Sequence, residues 1–494
     1  MLFHSYAFLL VFLPLVAALH LALVKAGVHR AVLPALGLAS LVFYGWGQPQ
    51  HVPLLCASLV VNAGLARALQ AQCQRGREGT ASALLALGVA FNLGLLAVFK
   101  YGGLLGLNSL LGAPLALPVG ISFYCFTQLA YLVDVRRGQV VDLNPVRYGL
   151  FVTWFPHLVA GPVLHHAQVM PQFERAQRRL PRAHDVAAGL SLFTLGLLKK
   201  IALADPLAPW VHSVFEAAQA GAPLSAAQAW GGVLAYSLQL YFDFSGYSDM
   251  ACGLSRCFGV RLPLNFFSPY RAGSIREFWR RWHITLSRFL QHYLYIPLGG
   301  NRHGAARRVF SLMATMLLGG LWHGAAITFV LWGGLHGLYL VLHQAWRAAS
   351  QGVWGGAGLP TALAWPLTLL AVAWAWVPFR ASSVEAAVHL WQAMLGLAPA
   401  SALNTSATAW PLGAPSEWAL ATGALAAALA LAAPNSAQLF GPRLFHGLPA
   451  SWRSATARRW RWAPRARWAW ALGLGLVLCL AQLHRESPFL YFQF

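Results

Sequence analysis

Long apolar runs recur from one end of the 494-residue chain to the other and limit what the chain can fold into. A helix needs about 20 mostly apolar residues to cross the hydrocarbon layer of a bilayer. Inside that layer only helices and closed barrels satisfy every backbone polar group. Hydrophobic residues make up 58% of the chain and charged residues only 10%, unlike a soluble domain. The sequence therefore predicts an all-α, polytopic integral membrane helical bundle.

The clearly apolar runs and some weaker ones together predict about a dozen membrane-embedded segments, some of them re-entrant. The clear runs are 7–23, 31–46, 82–99, 187–198, 309–321, 325–342, 363–379, 418–433 and 468–483. The weaker runs lie near 52–66, 113–133, 147–164 and 228–245. No linker long enough to separate soluble domains is visible, so we expect residues 1–494 to form a single membrane domain.

Basic residues are concentrated between the apolar runs. Lys and Arg total 35 against 13 for Asp and Glu, which gives a net charge of +22. The positive-inside rule predicts that the Arg-rich loops near 175–182 and 453–467 are cytoplasmic. We therefore attribute the charge to membrane topology and contact with the lipid bilayer, and we expect no nucleic-acid partner.

The stretch 251–308 forms a central loop that interrupts the hydrophobic pattern, and chemistry is expected there. Ser274 and Glu277 have the spacing of a capping box, which predicts a helix start at Ile275. Apolar side chains then recur every three or four residues. We predict one basic, aromatic, amphipathic helix over about 275–295, lying at the membrane interface.

The arginines of this predicted helix have two interpretations. Arg280 and its neighbours either face lipid headgroups or bind the phosphates of an activated donor that arrives from the cytoplasm. Arg281 lies four residues after Glu277, so the two side chains are expected to pair. His283 follows this basic run and has the same two interpretations.

Two histidines lie within apolar runs. A helix that begins after Arg308 would place His323 roughly 22 Å along its axis, inside the hydrocarbon layer. A polar ring there needs either a partner on a neighbouring helix or a functional role. On one continuous helix His336 would point about 220° away. A metal or haem shared by the two would need a break at Gly324, and packing is the favoured role for His336.

Four carboxylates lie in apolar context, Asp134, Asp205, Asp243 and Asp249. The last two, near the end of one apolar segment, are expected to balance nearby arginines. The six cysteines have no metal-ligand or disulfide spacing, so we expect no metal site. No Walker A, GxSxG, HExxH or Rossmann motif is present. Any chemistry must therefore use His, Asn, Arg and backbone groups.

Nine separated segments carry distinctive sequence motifs: Leu117–Tyr124, Tyr131–Asp134, Ala160–Pro162, Tyr241–Asp249, Leu264–Tyr270, Arg276–His283, Tyr295–Arg302, Leu321–Gly324 and Ser487–Phe494. Together they resemble the membrane-bound O-acyltransferase (MBOAT) family, in particular its bacterial polysaccharide and alginate O-acetyltransferase branch. The resemblance implies a bundle with a central funnel or tunnel. It also implies that His323 is the catalytic histidine within the membrane and that His283 has a second functional position. The chain departs from the family at Gln291 and His292, where relatives commonly carry Arg and Asp.

The resemblance implies an enzyme, an O-acyltransferase of the bacterial inner membrane. It would move an acyl group, most simply acetyl from acetyl-CoA, toward hydroxyls of an exported polysaccharide such as alginate. A periplasmic esterase-like (SGNH) protein is the implied partner, and no bound cofactor is expected. Peptidoglycan and teichoic acid are alternative acceptors. A glycan or lipid transporter (flippase), and a haem-binding electron carrier that uses His323 and His336, are the alternative classes.

The hypothesis assigns His323 as the general base that takes the proton of the acceptor hydroxyl. His283, Asn265 and Arg281 are candidate donors to the developing oxyanion. Arg280, Arg281 and Asn265 are candidate contacts of the acyl donor.

Overall fold

The computed structural model describes residues 1–107, 115–140, 142–353, 359–397, 415–441, 444–449, 452, 460–484 and 489–490. Apart from an isolated β-bridge between Pro263 and His446, the described residues contain no β-structure. The predicted all-α class is confirmed.

Helices follow one another along the chain with short connections. They are α1 (Leu13–Lys25), α2 (His29–Gly45), α3 (Val52–Gln74), α4 (Glu78–Phe99), α5 (Ile121–Arg136), α6 (Pro145–Thr153), α7 (His166–Arg178), α8 (Ala183–Leu198), α9 (Ala208–Gln219), α10 (Ala226–Cys257), α11 (Ile275–Arg281), α12 (Ile284–Leu290), α13 (Gly304–His323), α14 (Ile327–Val353), α15 (Thr361–Arg380), α16 (Val384–Met394), α17 (Glu417–Ala432), α18 (Ser436–Phe440) and α19 (Ala466–Gln482). Segments Ala7–Phe12, Lys199–Ala204 and Gln291–Tyr295 are π-helical, and Pro49–His51, Asp205–Leu207 and Pro269–Arg271 are 3₁₀. Each clearly apolar run of the sequence overlaps a helix.

Among the described residues, five helical stretches are long and apolar enough to cross a membrane. They are Ala7–Lys25, Pro49–Gln74, Glu78–Phe99, Ala183–Gln219 and Thr361–Arg380. Their surfaces carry large apolar side chains such as Leu15, Val60 and Leu363, which are 64%, 72% and 60% exposed. Such exposure suits a surface in contact with lipid tails. The predicted total of about a dozen segments is larger and stays a prediction.

The weaker run near residues 147–164 is only partly helical. α6 ends at Thr153, and the chain then continues as a buried turn through residue 164. The helix stops here because Pro156 disfavours the α conformation at the residue before it. The buried amide of that residue, Phe155, donates instead to Oγ of Ser40 at 3.2 Å.

The segment over about 275–295 is not the single helix that the sequence predicts. Ser274 caps α11 as expected, since its Oγ accepts from the N–H of Glu277 at 3.2 Å. Glu277 also pairs with Arg281, as predicted. The helix then breaks, α12 follows, and residues 291–295 are π-helical. The break turns His283 away from the exposed arginine side of the helix and buries it to 1% exposure.

The chain divides into two compact units, each built from separated segments. Unit 1 consists of Met1–Leu197, Tyr247–Leu264 and Ser436–Phe492, and unit 2 of Leu198–Gly246, Asn265–Asn435 and Gln493–Phe494. Every candidate catalytic or donor-binding residue from the sequence lies in unit 2. The single membrane domain over residues 1–494 stays a prediction.

A buried ion cluster lies inside unit 2. The Nζ of Lys200 is 2.7 Å from Oδ1 of Asp243 and 2.8 Å from Oδ1 of Asp205. Lys200 and Asp243 are each only 2% exposed, whereas Asp205 is 22% exposed. The sequence predicted an arginine partner for Asp243, but the partner is a lysine from the π-helical turn after α8. Such a pair is worth little net stability, yet breaking it is costly because a charge is left buried.

We expect Lys200→Met to lower the free energy of unfolding by about 3–5 kcal/mol, because two carboxylates then lose their cation. Asp205→Asn keeps the more buried pair and should cost less. The measurement is the melting temperature of the detergent-solubilised protein, followed by size-exclusion chromatography after heating. Equal melting temperatures for Lys200→Met and the unsubstituted protein would contradict the expectation.

α13 and α14 pack closely because glycines lie where the two helices cross. A Cβ at Gly320 would lie 2.2 Å from the carbonyl oxygen of Phe329. A Cβ at Gly333 would lie 2.3 Å from the carbonyl oxygen of Met316. Small residues at crossings let helix backbones approach, as is common in membrane bundles. The crossing holds the end of α13 against the start of α14.

We expect Gly333→Ala to destabilise the protein by about 1–3 kcal/mol, because the added methyl overlaps a backbone carbonyl. The matched control is Gly334→Ala, whose Cβ would meet only Cδ2 of Leu317 at 3.5 Å, an ordinary contact. The control should be neutral or slightly stabilising, since Ala favours a helix over Gly. The same thermal assay separates the two, and equal stability of both variants would refute the tight crossing.

Candidate active site

The backbone around His283 is held by pairing on both sides of the helix break. The carbonyl of Arg281 and the amide of Ile284 both pair with the backbone of residues 265–267, at 2.9 and 3.0 Å. Between them His283 has φ 41° and ψ 53°, a left-handed conformation that side-chain-bearing residues rarely adopt. Such strain persists only where the surrounding structure over-determines it.

Asn265 fixes which nitrogen of His283 carries the proton. The Oδ1 of Asn265 lies 3.3 Å from the backbone nitrogen of Thr285 and 2.9 Å from Oγ1 of the same residue. It also lies 3.0 Å from Nδ1 of His283. A backbone N–H only donates, so the amide atom that faces it must be the oxygen. His283 must then donate from Nδ1, and its Nε2 presents a lone pair.

The Nε2 lone pair of His283 is buried and has no hydrogen-bond partner among the described residues. His283 lies outside the candidate membrane-spanning helices, and burial lowers the pKa of its imidazole to about 3. The ring is therefore neutral at physiological pH. A neutral imidazole in this tautomer accepts a hydrogen bond at Nε2 but does not donate one there.

His323 is the last residue of α13. Gly324 is extended, with φ −158° and ψ 155°, and α14 begins only at Ile327. The break that the sequence left open at Gly324 is therefore present. His323 is 6% exposed, and its ring lies edge-on to Trp332 of α14 and Phe379 of α15, at centroid distances of 5.1 and 5.3 Å.

The structure brings the two candidate histidines together. The ring centroids of His283 and His323 are 6.5 Å apart, with 59° between their planes. Phe244 lies edge-on to His283 at 4.8 Å, so aromatic rings flank both imidazoles. In such surroundings electrostatic interactions are stronger than in water.

His336 makes contacts that suit the packing role predicted for it. It lies on α14, and its Nδ1 accepts a hydrogen bond from Nε1 of Trp279 at 3.3 Å. Its ring also stacks on Phe278, with a centroid distance of 6.0 Å and 7° between the planes. Both contacts come from α11, so His336 joins α11 to α14 and supports the helix that precedes His283.

The arginines of α11 are placed differently from the histidines. Arg280 is exposed. Arg281 pairs with Glu277, and its Nη1 lies 3.5 Å from the carbonyl oxygen of Ser268. The roles of Arg280, Arg281 and Asn265 toward an acyl donor stay predictions.

The departure from the family at Gln291 and His292 falls on the π-helical turn after α12. Both side chains are exposed, and Nδ1 of His292 lies 2.8 Å from the carbonyl oxygen of Arg288 on the preceding turn. The departure therefore lies on an exposed surface.

Unit 1 contains a cluster with metal-ligand chemistry, formed by Asp134, His165 and His166, whose ligand atoms lie within 4.8 Å of one another. The Nε2 atoms of the two histidines are 2.9 and 3.2 Å from the same carboxylate oxygen. The Nδ1 of His165 accepts from the N–H of Ala167 at 3.3 Å, so its Nε2 carries the proton. A metal at this atom would require that proton to leave, so in this tautomer His165 donates to the Asp134 carboxylate.

Sequence reasoning missed the partners of several residues that it named. It named Asp134 without the two histidines, Asp243 without Lys200, and Asn265 without Thr285. One signal for Lys200 was available, because a lysine that continues an apolar run is costly and needs a counter-charge. Thr285 gives no such signal, since its role depends on the helix break beside it.

Residues 91–369 match the model of the MBOAT, membrane-bound O-acyltransferase family. This range is more than half of the chain and includes Asn265, His283 and His323. The chain therefore belongs to the membrane-bound O-acyltransferase family and is a membrane O-acyltransferase. This removes the transporter and electron-carrier alternatives.

Among curated proteins, the chain is similar to O-acetyl-transferring enzymes over most of its length. It is 39% identical over 431 residues to the peptidoglycan O-acetyltransferase of Helicobacter pylori, covering 80% of each chain. It is 40% identical over 408 residues to a probable alginate O-acetylase of Azotobacter vinelandii, covering 80% of this chain and 78% of that one. It is 39% identical over 409 residues to the corresponding protein of Pseudomonas aeruginosa, covering 80% and 75%.

Proposed function

We propose that the chain transfers an acetyl group from acetyl-CoA toward hydroxyl groups of an exported polysaccharide. The observation that carries this proposal is the buried pair of His283 and His323, in a chain similar to O-acetyltransferases over four-fifths of its length. The relatives support two acceptor classes, an alginate-like exopolysaccharide and peptidoglycan.

His323 acts as the general base in this mechanism. It takes the proton of the acceptor hydroxyl while the hydroxyl oxygen attacks the thioester carbonyl. The tetrahedral intermediate collapses with cleavage of the C–S bond, and the imidazolium returns the proton to the leaving thiolate. The products are an acetyl ester and a free thiol, so no other reactant is needed.

His283 has a different role in this mechanism from the one suggested by sequence alone. Its Nε2 lone pair accepts a hydrogen bond from a second hydroxyl of the acceptor sugar, which orients the attacking oxygen toward the thioester while the proton of that oxygen goes to His323. A neutral ring in this tautomer does not donate to an oxyanion at Nε2. Asn265 and Arg281 remain the candidate oxyanion contacts, and Arg280 and Arg281 the candidate donor contacts.

The proposal also includes the setting of the reaction. The enzyme lies in the bacterial inner membrane, with about a dozen membrane segments around a central tunnel. A periplasmic esterase-like protein receives the acetyl group or passes it to the polymer.

The test is the O-acetyl content of surface polysaccharide, measured by NMR in cells with and without the gene. We expect loss of the acetyl ester signals in the deletion and their return on complementation. Acetyl content that does not depend on the gene would overturn the proposal. Incubation of membranes with acetyl-CoA labelled in the acetyl group then identifies the donor, because label should reach polymer or partner only when the gene is present.

A further inference from the structure

A basic pocket in unit 1 lies outside the proposed chemistry. Its volume is about 710 Å³, within the roughly 300–1,000 Å³ range of small-molecule sites. It is formed by the end of α7, the start of α8 and the chain just after α10. Its charged lining consists of Arg175, Arg182, Arg256, Arg261 and Asp185.

The pocket has a large excess of positive charge. Arg256 pairs with Asp185 at 2.5 Å. In the described part of the chain, no carboxylate lies within ion-pair distance of Arg175, Arg182 or Arg261. Like charges gathered in one concavity repel one another, and an anion relieves that repulsion. Guanidinium groups match phosphate oxygens bidentately, which makes a phosphate-bearing ligand the best fit.

The pocket is held in shape by contacts that do not use the guanidinium groups of Arg175, Arg182 and Arg261. The side-chain amide of Gln172 donates to the carbonyl oxygen of Arg261 and accepts from its N–H, both at 2.9 Å. This pair of bonds joins α7 to the chain after α10. The Arg256–Asp185 ion pair joins α10 to α8 in the same way. The backbone of the pocket is therefore preorganised, and the free guanidinium groups are available to a ligand.

We propose that this pocket binds the phosphate groups of a small ligand at the cytoplasmic face, where the positive-inside rule places these arginines. The ligand is a coenzyme A thioester, through its 3′-phosphate and diphosphate, or an anionic lipid headgroup. The first source rests on the proposed function, since acetyl-CoA is the donor assigned there. The second source is independent of it.

The test compares Arg182→Gln/Arg261→Gln with a matched control in the full-length chain. The control, Arg178→Gln/Arg179→Gln, removes the same charge from exposed arginines that do not line the pocket. Calorimetry measures binding of acetyl-CoA, 3′-dephospho-CoA and a short-chain phosphatidylglycerol to purified protein. Equal melting temperatures establish that all variants are folded.

We expect at least about a tenfold loss of affinity in the pocket variant and little change in the control, since the variant removes two charged contacts to phosphate. Loss for acetyl-CoA identifies the donor as ligand, and the loss should be smaller for 3′-dephospho-CoA. Loss for phosphatidylglycerol alone identifies a lipid headgroup. Unchanged affinity for all three probes would overturn the proposal. Because binding is measured without turnover, failure of acetyl transfer would not itself affect the outcome.

Discussion

Replacing His323 with glutamine is expected to lower acetyl transfer by at least about 100-fold, the usual contribution of a general base. Glutamine is polar and of similar size, so it limits the cavity that alanine would leave against Trp332 and Phe379. The measurement is the O-acetyl content of surface polysaccharide in complemented cells, divided by the amount of enzyme in the membrane. His323→Ala should show the same loss of activity, together with lower thermal stability.

The matched control for this prediction is His336→Gln. His336 is fully buried and lies on the next helix, but its Nδ1 is held by Trp279 and it is assigned to packing. We expect this variant to be less stable and to keep most of its activity per folded molecule. Acetylation at the wild-type level in His323→Gln would rule out His323 as the base. If folded His336→Gln were as inactive as His323→Gln, the loss of activity in His323→Gln would reflect disturbed packing and not the loss of a base.

Asn265→Leu is expected to cause the second-largest loss, because it removes the oxygen that sets the tautomer of His283. The change leaves a buried N–H of Thr285 without an acceptor, at a cost of about 1–3 kcal/mol. It also frees His283 to carry its proton on Nε2, the atom that must accept a hydrogen bond from the second hydroxyl of the acceptor sugar. We expect roughly a 100-fold fall in kcat per folded molecule, with a smaller change in KM for acetyl-CoA.

Two further variants distinguish loss of the His283 orientation set by Asn265 from a general loss of packing. Asn265→Asp keeps an oxygen facing Thr285 and His283, so it should restore most of the activity lost in Asn265→Leu. Thr285→Val removes only the hydroxyl contact and should have a small effect. If the Leu and Asp variants were equally inactive while both remained folded, orientation of His283 by Asn265 would be disproved.

The existence of the long apolar helices could be predicted because the apolar runs are local signals, although the run predicted to end at 342 belongs to a helix that ends at Val353. The cap at Ser274 and the pair of Glu277 with Arg281 could also be predicted, since each involves residues within one turn. The buried position of His323 followed from its distance along an apolar run. These features require no knowledge of which helices are neighbours.

The break before His283 could not be predicted, because residues far along the chain cause it. The periodic apolar pattern continues through the break, and only pairing with the backbone of residues 265–267 shows why the helix stops. The same holds for the ion pair of Lys200 with Asp243, which are 43 positions apart. Long-range partners of this kind decide which nitrogen is protonated and which charge is neutralised, so the chemistry of the site was less predictable than its helices.

The left-handed backbone at His283 sets two stability terms against each other at one position. A side chain there costs roughly 1–2 kcal/mol, whereas glycine adopts the conformation freely. Glycine would also remove a ring that is only 1% exposed and packs on Phe244, and such a cavity costs about 2–5 kcal/mol. The strained backbone is therefore retained because the imidazole repays it by packing and by its hydrogen bond to Asn265. A search for stabilising substitutions that considered backbone conformation alone would choose the wrong residue at position 283.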